Sequence, residues 1–429
     1  MHSTTLAAAL AALALAAAVP AAAQVTFVVD DKKDLPDAAI DGACATVEGT
    51  CTLRAAVQEA NATVAADTIQ LPDAKHALKI VGAGEDAAAT GDLDILEDLT
   101  IEGVGVRDTK IKGKKDRVFH IAPDVIMTMT ELAIEGGKIG AKGEIGDEVN
   151  GGGILNHGDL TLIDVVVTKN AASDDGGGIA NLGGMLTATR LEVSKNKAGD
   201  DAGGIDSDSG SLVMTDWTVA KNTAGDEGGG LEIDGGTAIL QAGTVNGNKA
   251  KTGGAGGISL EDGGNLEATN VTVSGNKAKT IGGGLHVDNG TALLTSITFK
   301  GNKAAEGGAI FNDAGSTVTL QSSLLDKNKK TTCGGAITSG GGNVEDTTSC
   351  GLGVGEISGV KKLQVKGLKK NGGPTLTHAL KDDSPAIDAG DDPDCPNVDQ
   401  RGLGRQDVPG IGTAICDAGA YEFQPPDQP

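Results

Sequence analysis

Aromatic side chains are nearly missing from this chain: its 429 residues include one Trp, one Tyr and five Phe. Ring bulk therefore cannot fill a core, which has to be built in many thin layers from aliphatic and β-branched residues. Basic charge is also short. Lys and Arg total 35 against 59 Asp and Glu, a formal net charge of −24. That balance argues against nucleic acid or anionic membranes as partners and in favour of solubility or divalent cations. Past the first two dozen residues no apolar run is long enough to span a bilayer, so membrane insertion is not expected. The six Cys contain no Cys-x-x-Cys spacing and the six His are scattered, which leaves no pattern for a structural zinc site.

What is present begins with an apolar run over residues 6–19, followed by Ala21, Ala22, Ala23 and then Gln24. Its length and small-residue ending predict a secretory signal peptide, residues 1–23, and hence an extracellular or bacterial cell-surface protein. Cysteines of an exported chain read first as disulfides. Six of them allow fifteen connectivities. The local set, Cys44 with Cys51, Cys333 with Cys350 and Cys395 with Cys416, closes short loops at the two ends of the fold.

The chain is rich in glycine, and much of it is periodic. A Gly-Gly corner followed by an aliphatic residue recurs at Ile154, Ile179, Ile205, Leu231, Ile258, Leu285, Ile310 and Ile337, at spacings of 25 to 27. A second marker keeps step at Asn170, Asn196, Asn222, Asn248, Asn276, Asn302 and Asn328. Three residues before each Asn stand Val167, Val193, Val219, Val245, Val273, Phe299 and Leu325, all apolar, and Trp217 occupies another inward row. Between these rows Thr218, Thr244, Thr272 and Thr298 face outward. Alternation of period two marks a strand with one buried face, and its return every 26 residues or so marks a solenoid. The predicted fold is all-β: a single-stranded right-handed parallel β-helix whose coils stack about 4.8 Å apart. Gly and Asn at the corners are expected to supply left-handed backbone. The Asn amides are expected to bond along the ladder and satisfy turn carbonyls.

Upstream, DTIQL (residues 67–71) and LTIEG (residues 99–103) read as less regular coils. Thr52 opens a helix with Leu53, Ala56, Val57 and Ala60 on one face, suited to covering the open end of the first coil. The segment CTLRAAVQEANA (residues 51–62) resembles the N-terminal CSLREA-type domain of secreted bacterial β-helix proteins. This chain has Thr52 but Ala55 where that motif has Glu, so the reciprocal half of the capping box is lost. GGAIFN (residues 307–312) resembles the repeat of polymorphic outer-membrane proteins. NGGPTLTHAL (371–380), SPAIDAG (384–390), DQRG (399–402) and CDAGAYE (416–422) resemble the choice-of-anchor Q domain. These resemblances imply secretion and surface display, and no particular reaction. The expected organisation is a signal peptide over 1–23, an N-terminal cap over 24–66, the β-helix over 67–365 and a disulfide-stapled C-terminal cap over 366–429. In that last region Arg401 and Arg405 are expected to pair with Asp382, Asp383, Asp388, Asp391, Asp392 and Asp394.

Two rows of acids bear on function. One lies just after the corners and includes Asp206, Asp208, Glu232, Asp234, Glu261, Asp262, His286, Asp288 and Asp313. The other precedes the glycines, with Asp174, Asp175, Asp200, Asp201, Asp226 and Glu227. Hard oxygen ligands repeating at coil spacing suit calcium, the one cofactor suggested, held by the second row. The leading reading is a secreted or surface-associated scaffold, adhesive or structural, with surface polysaccharide or surface protein as partner. The alternative is a polysaccharide lyase or glycoside hydrolase at an acidic wall, with Glu232, Asp234 and Asp208 as the catalytic carboxylates. The shortage of aromatic platforms for sugar rings weighs against it.

Overall fold

A computed structural model describes residues 23–82, 84, 87–140, 149–391, 395–406 and 416–425. Apart from Ala23, the expected signal peptide lies outside the described residues, as do Asp392 and Asp394. One coil shows the construction. Ile205–Asp208, Ser211–Thr215 and Thr218–Ala220 form three short strands, and Thr223–Ala224 a fourth edge. The next coil repeats them as Leu231–Asp234, Thr237–Gln241, Thr244–Asn246 and Lys249–Ala250. Each strand pairs in parallel with its counterpart: Ile205 faces Leu231, Leu212 faces Ala238, Val219 faces Val245, and Ala224 faces Ala250. The first strands of the coils make a ten-stranded parallel sheet.

The inward Val row stacks as the spacing requires, from Val167 through Val193, Val219, Val245, Val273 and Phe299 to Leu325. The aliphatic row runs from Ile154 to Ile310 and then departs from expectation. Cys333, not Ile337, stands opposite Ile310, because the last coil is shortened there. Trp217 is fully buried, and the neighbouring coil makes room for it. A Cβ on Gly243 would lie 2.1 Å from the indole Cε2.

The corner chemistry also differs from expectation. The ladder asparagines are absent from the left-handed region; the residue before each takes it, for example Lys195 (φ 60°), Lys221 (φ 59°) and Gly247 (φ 66°). At the first position of the glycine motif the left-handed residue is the expected Gly at Gly151, Gly176, Gly228, Gly282 and Gly307, and Ala202 (φ 52°) or Ala255 (φ 48°) in two coils. The pair itself is needed for close approach. A Cβ on Gly203 would sit 2.5 Å from the Thr223 carbonyl carbon, and one on Gly204 would sit 2.4 Å from the Gly230 oxygen.

Each Asn is an interior strut. Asn196 Nδ2 donates to Val167 O (3.0 Å) and to Asn222 Oδ1 (3.1 Å), while its backbone N–H also donates to Asn222 Oδ1 (2.9 Å). The same three bonds recur at Asn170, Asn222, Asn248, Asn276 and Asn302.

At the N-terminal end the helix Leu53–Ala60 is capped by Thr52, whose Oγ1 accepts the Ala55 N–H at 3.2 Å. Leu53, Ala56, Val57 and Ala60 join the coil interior. The helix is buried on its other side as well. Arg54, fully buried, pairs with Asp34 (2.7 Å) and donates to the carbonyls of Ala88, Gly91 and Asp92. The disulfides join Cys44 to Cys51, Cys333 to Cys350 and Cys395 to Cys416. Cys333, Cys350 and Leu352 close the far end of the main core.

The C-terminal region lies along the outside of the coils. Its hairpin, Val365–Lys370 with Leu376–Leu380, brings Leu363, Val365 and Leu380 onto Leu324 and Val344 in a second apolar cluster. From Thr244 onward the outward Thr row is consequently not solvated. Thr244 Oγ1 donates to Leu376 O (2.8 Å) and Thr272 Oγ1 to Gln400 Oε1 (2.6 Å), while Thr298 Oγ1 accepts the Ala420 N–H (2.9 Å). Arg401 pairs with Asp399 and stacks on Tyr421, and Arg405 pairs with Glu422. Neither Asp399 nor Glu422 is among the acids of residues 382–394 that the sequence suggested, of which Asp392 and Asp394 lie outside the described residues.

Candidate functional site

The two acidic rows come together. On the ten-stranded sheet, Ala180, Asp206, Glu232, Ser259, His286 and Phe311 stack in register on the outer face. Outward side chains there should be wet, yet Asp206 is 6% exposed, Glu232 7% and His286 4%. The loops ahead of the glycine pairs fold back over them. A Cβ on Gly228 would lie 3.0 Å from Glu232 Oε2, and one on Gly282 would lie 2.6 Å from His286 Cβ. Those same loops carry the second acidic row. The result is one acidic seam, with Asp175, Asp201 and Glu227 on its loop side and Asp208, Asp234 and Glu261 at the strand ends.

The loop acids hold the backbone as well as charge. Asp175 Oδ1 accepts the Asp201 N–H (2.8 Å), Asp201 Oδ1 the Glu227 N–H (2.6 Å), and Glu227 Oε1 the Gly254 N–H (3.2 Å). Each carboxylate thus caps the next coil. Asp226 Oδ1 accepts from Thr252 Oγ1 (2.7 Å). Oxygens of Asp174, Asp175 and Asp200 lie within 4.8 Å of one another, as do ligand atoms of Glu227, Glu261 and His286.

Charge crowding is severe. Burial, with Asp174, Asp200 and Asp208 nearby, lifts Asp175 to about 6 despite the Asp201 N–H. Burial with Asp200, Asp175 and Asp226 lifts Asp201 to about 7 against the Glu227 N–H. Asp206 and Glu232 are driven well above the carboxylate range, first by burial and then by acids on adjacent coils. None of Asp175, Asp201, Asp206 and Glu232 pairs with Lys or Arg among the described residues. The positive charge at the seam is His286. Burial opposes its charging, but Glu227 and Asp313 outweigh that and lift it to about 9.

The proposed catalytic set is split by environment. Asp208 and Asp234 are register neighbours, the first exposed and the second half-buried. Glu232 is buried, and its Oε2 has no hydrogen-bond partner. A second concavity, of about 480 Å³, lies on another flank between the corner residues Asp164, Arg190 and Asp216 and Pro374 of the C-terminal region.

With this geometry in hand, the chain was compared with known proteins. Residues 147–304 match the family model of the right-handed β-helix region. The fold is a right-handed parallel β-helix. Residues 296–313 match the repeat of the Chlamydia polymorphic membrane proteins. No curated protein matches the sequence. Among solved structures, pectate lyase Pel9A aligns over 94% of this chain and 98% of its own, at 13% identity and a TM-score of 0.49.

Sequence reasoning found the members of the seam but kept its two rows apart. It missed the contacts of His286, whose Nδ1 lies 3.2 Å from Glu227 and Nε2 2.7 Å from Asp313. Asp313 lies two residues past Phe311, the register partner of His286, and so on the same outer face one coil on, which was there to be read. The spacing from Glu227 to His286 carries no such signal, because a folded-over loop makes that contact.

Proposed function

We propose that this protein is a secreted, surface-associated β-helix scaffold, adhesive or structural, that binds calcium along its acidic seam. The observation that carries the reading is the burial of a stacked carboxylate row beneath a second, loop-borne row, with Asp174, Asp175 and Asp200 offering oxygens within 4.8 Å of one another. Asp201, Asp226 and Glu227 extend that set coil by coil, and calcium takes six to eight such oxygens. Three disulfides suit an oxidising compartment, and the membrane-protein repeat match supports a surface location. No helix among the described residues is long and apolar enough to cross a membrane. Surface polysaccharide or surface protein is the partner class.

A polysaccharide lyase or hydrolase using Asp208, Glu232 and Asp234 is not favoured. Glu232 is buried, and the one Trp that might carry a sugar ring is inside the coil. The test is a thermal melt in millimolar calcium and in chelator, together with binding to a panel of uronate and neutral glycans. Calcium should raise the midpoint by several degrees, and Asp175→Asn with Asp201→Asn should remove that gain. Equal midpoints in calcium and chelator would dispose of the calcium reading. Release of unsaturated or reducing ends, lost in Glu232→Gln, would replace the scaffold with an enzyme.

A further inference from the structure

The structure assigns a second, chemically different cation site: we propose that Glu227, Glu261 and His286 bind a divalent transition-metal ion of the zinc class, with Asp313 orienting the histidine. Their ligand atoms lie within 4.8 Å of one another, and His286 Nδ1 stands 3.2 Å from Glu227 Oε2. Two ligands of one tetrahedral ion at ~2.1 Å stand roughly 3.4 Å apart. The trio thus needs little movement to close on an ion.

Each ligand is held from behind. Asp313 takes the far ring nitrogen of His286 at 2.7 Å, the carboxylate–histidine arrangement that directs the other nitrogen at a metal. The Gly254 N–H fixes Glu227 Oε1 at 3.2 Å, and Ser259 Oγ fixes Glu261 Oε1 at 2.5 Å. One oxygen of each carboxylate is thereby pinned, and the other oxygen of Glu227 faces His286.

Two further observations point to a ligand. Gly254 has no left-handed backbone to explain it, yet a Cβ there would lie 3.1 Å from His286 Nδ1 and 3.4 Å from Glu227 Oε1, as well as 3.1 Å from Ile281. The glycine keeps the space beside the ligand atoms open. Glu232, more than nine-tenths buried with Oε2 unpartnered, stands opposite Ser259, two residues from Glu261 on the adjacent coil.

The ligand type selects the metal. Calcium and magnesium prefer oxygen-only shells, whereas an imidazole nitrogen with carboxylates suits zinc and its neighbours. Three protein ligands leave at least one position open to water or to a partner's side chain.

The experiment titrates Zn²⁺ alone into the full chain, purified without a histidine tag, at pH 7.5 in millimolar calcium, by calorimetry. Co²⁺ absorption serves as the spectroscopic signature. One equivalent should bind at micromolar Kd or tighter. Glu261→Gln and His286→Ala should each weaken it at least 100-fold, Gly254→Ala should weaken it, and Asp313→Asn should cost about 10-fold. If His286→Ala does not fold, Glu261→Gln and Asp313→Asn decide on the same scale. No saturable binding below millimolar zinc, loss of the site to calcium, or equal affinity in the ligand variants would overturn the assignment. Glu227 belongs to both rows, but the calcium melt is decided at Asp175 and Asp201 and the zinc titration at Glu261 and His286, so either site can fail without the other.

Discussion

Removing one interior Asn tests how the coils are held together. In Asn222→Ala the Asn196 N–H loses its acceptor at 2.9 Å, and the Asn196 amide loses one of its two partners. Val193 O and Asn248 Oδ1 each lose a donor. An orphaned buried N–H costs ~1–3 kcal/mol, and the other three bonds contribute ~1 kcal/mol each, so the loss should come to about 4–6 kcal/mol. Solenoids couple mainly between neighbouring coils, so the reporter has to be local. The only Trp, Trp217, belongs to the same coil and is fully buried. Guanidinium unfolding followed by its fluorescence should show the midpoint fall in Asn222→Ala. The exposed Asn265→Ala should stay within about 0.5 kcal/mol of the parent. A loss below about 1 kcal/mol in Asn222→Ala would mean that backbone pairing and apolar packing alone carry the stack.

Two more outcomes follow from particular contacts. Gly243→Leu forces a side chain into the Trp217 ring and should cost more than about 3 kcal/mol. Adding Trp217→Leu should recover part of that, read by circular dichroism, and additive costs would show that the two rows do not share volume. His378, whose Nδ1 donates to Lys366 O and whose Nε2 accepts from Ser274, is held neutral by burial at about 4, below its usual 6.5. The unfolded chain therefore binds the extra proton between those values. The contribution is complete above pH 6.5 and is lost on acidification toward pH 4, up to about 3 kcal/mol. Wild type should lose more thermal stability than His378→Gln over that window, and parallel curves would refute the assignment.

The stack was legible because two periods agree: alternation of two within each strand and about 26 between coils. Val193 lies between Val167 and Val219 for that reason. Ile337 misled because the sequence marker persists after the coil has shortened, and Cys333 takes the position. The glycine motif was located correctly and its first Gly is left-handed at Gly151, Gly176, Gly228, Gly282 and Gly307, but the close approach required of the following glycines was not foreseen. Composition shows that Gly is present, not whether its φ or its missing Cβ is being used. Alternation told that Thr272 points out of the coil, but not that residues 128 positions later, at Gln400, would cover it. The same blindness kept the acidic rows apart. In-and-out alternation places Glu232 outside the coil and says nothing of a loop folding over it.

That fold-over sets the seam apart from a solvated acidic face. A solvated face keeps its carboxylates at the surface, where water and salt screen them and stacking costs little. Here Asp206 and Glu232 are withdrawn from water, stacked on one another in adjacent coils, and surrounded by Asp175, Asp201 and Glu261. A long-period solenoid puts like residues one above another, so every acid kept at that position adds a repulsion between neighbours. Elsewhere on the same outer row the chain places Leu155 and Ala180 without difficulty. Apolar residues would therefore fit where the acids stand, and would stabilise the coils. Packing does not call for buried acids at Asp206 and Glu232. A bound cation, as proposed above, would offset the charge that packing leaves unpaired there.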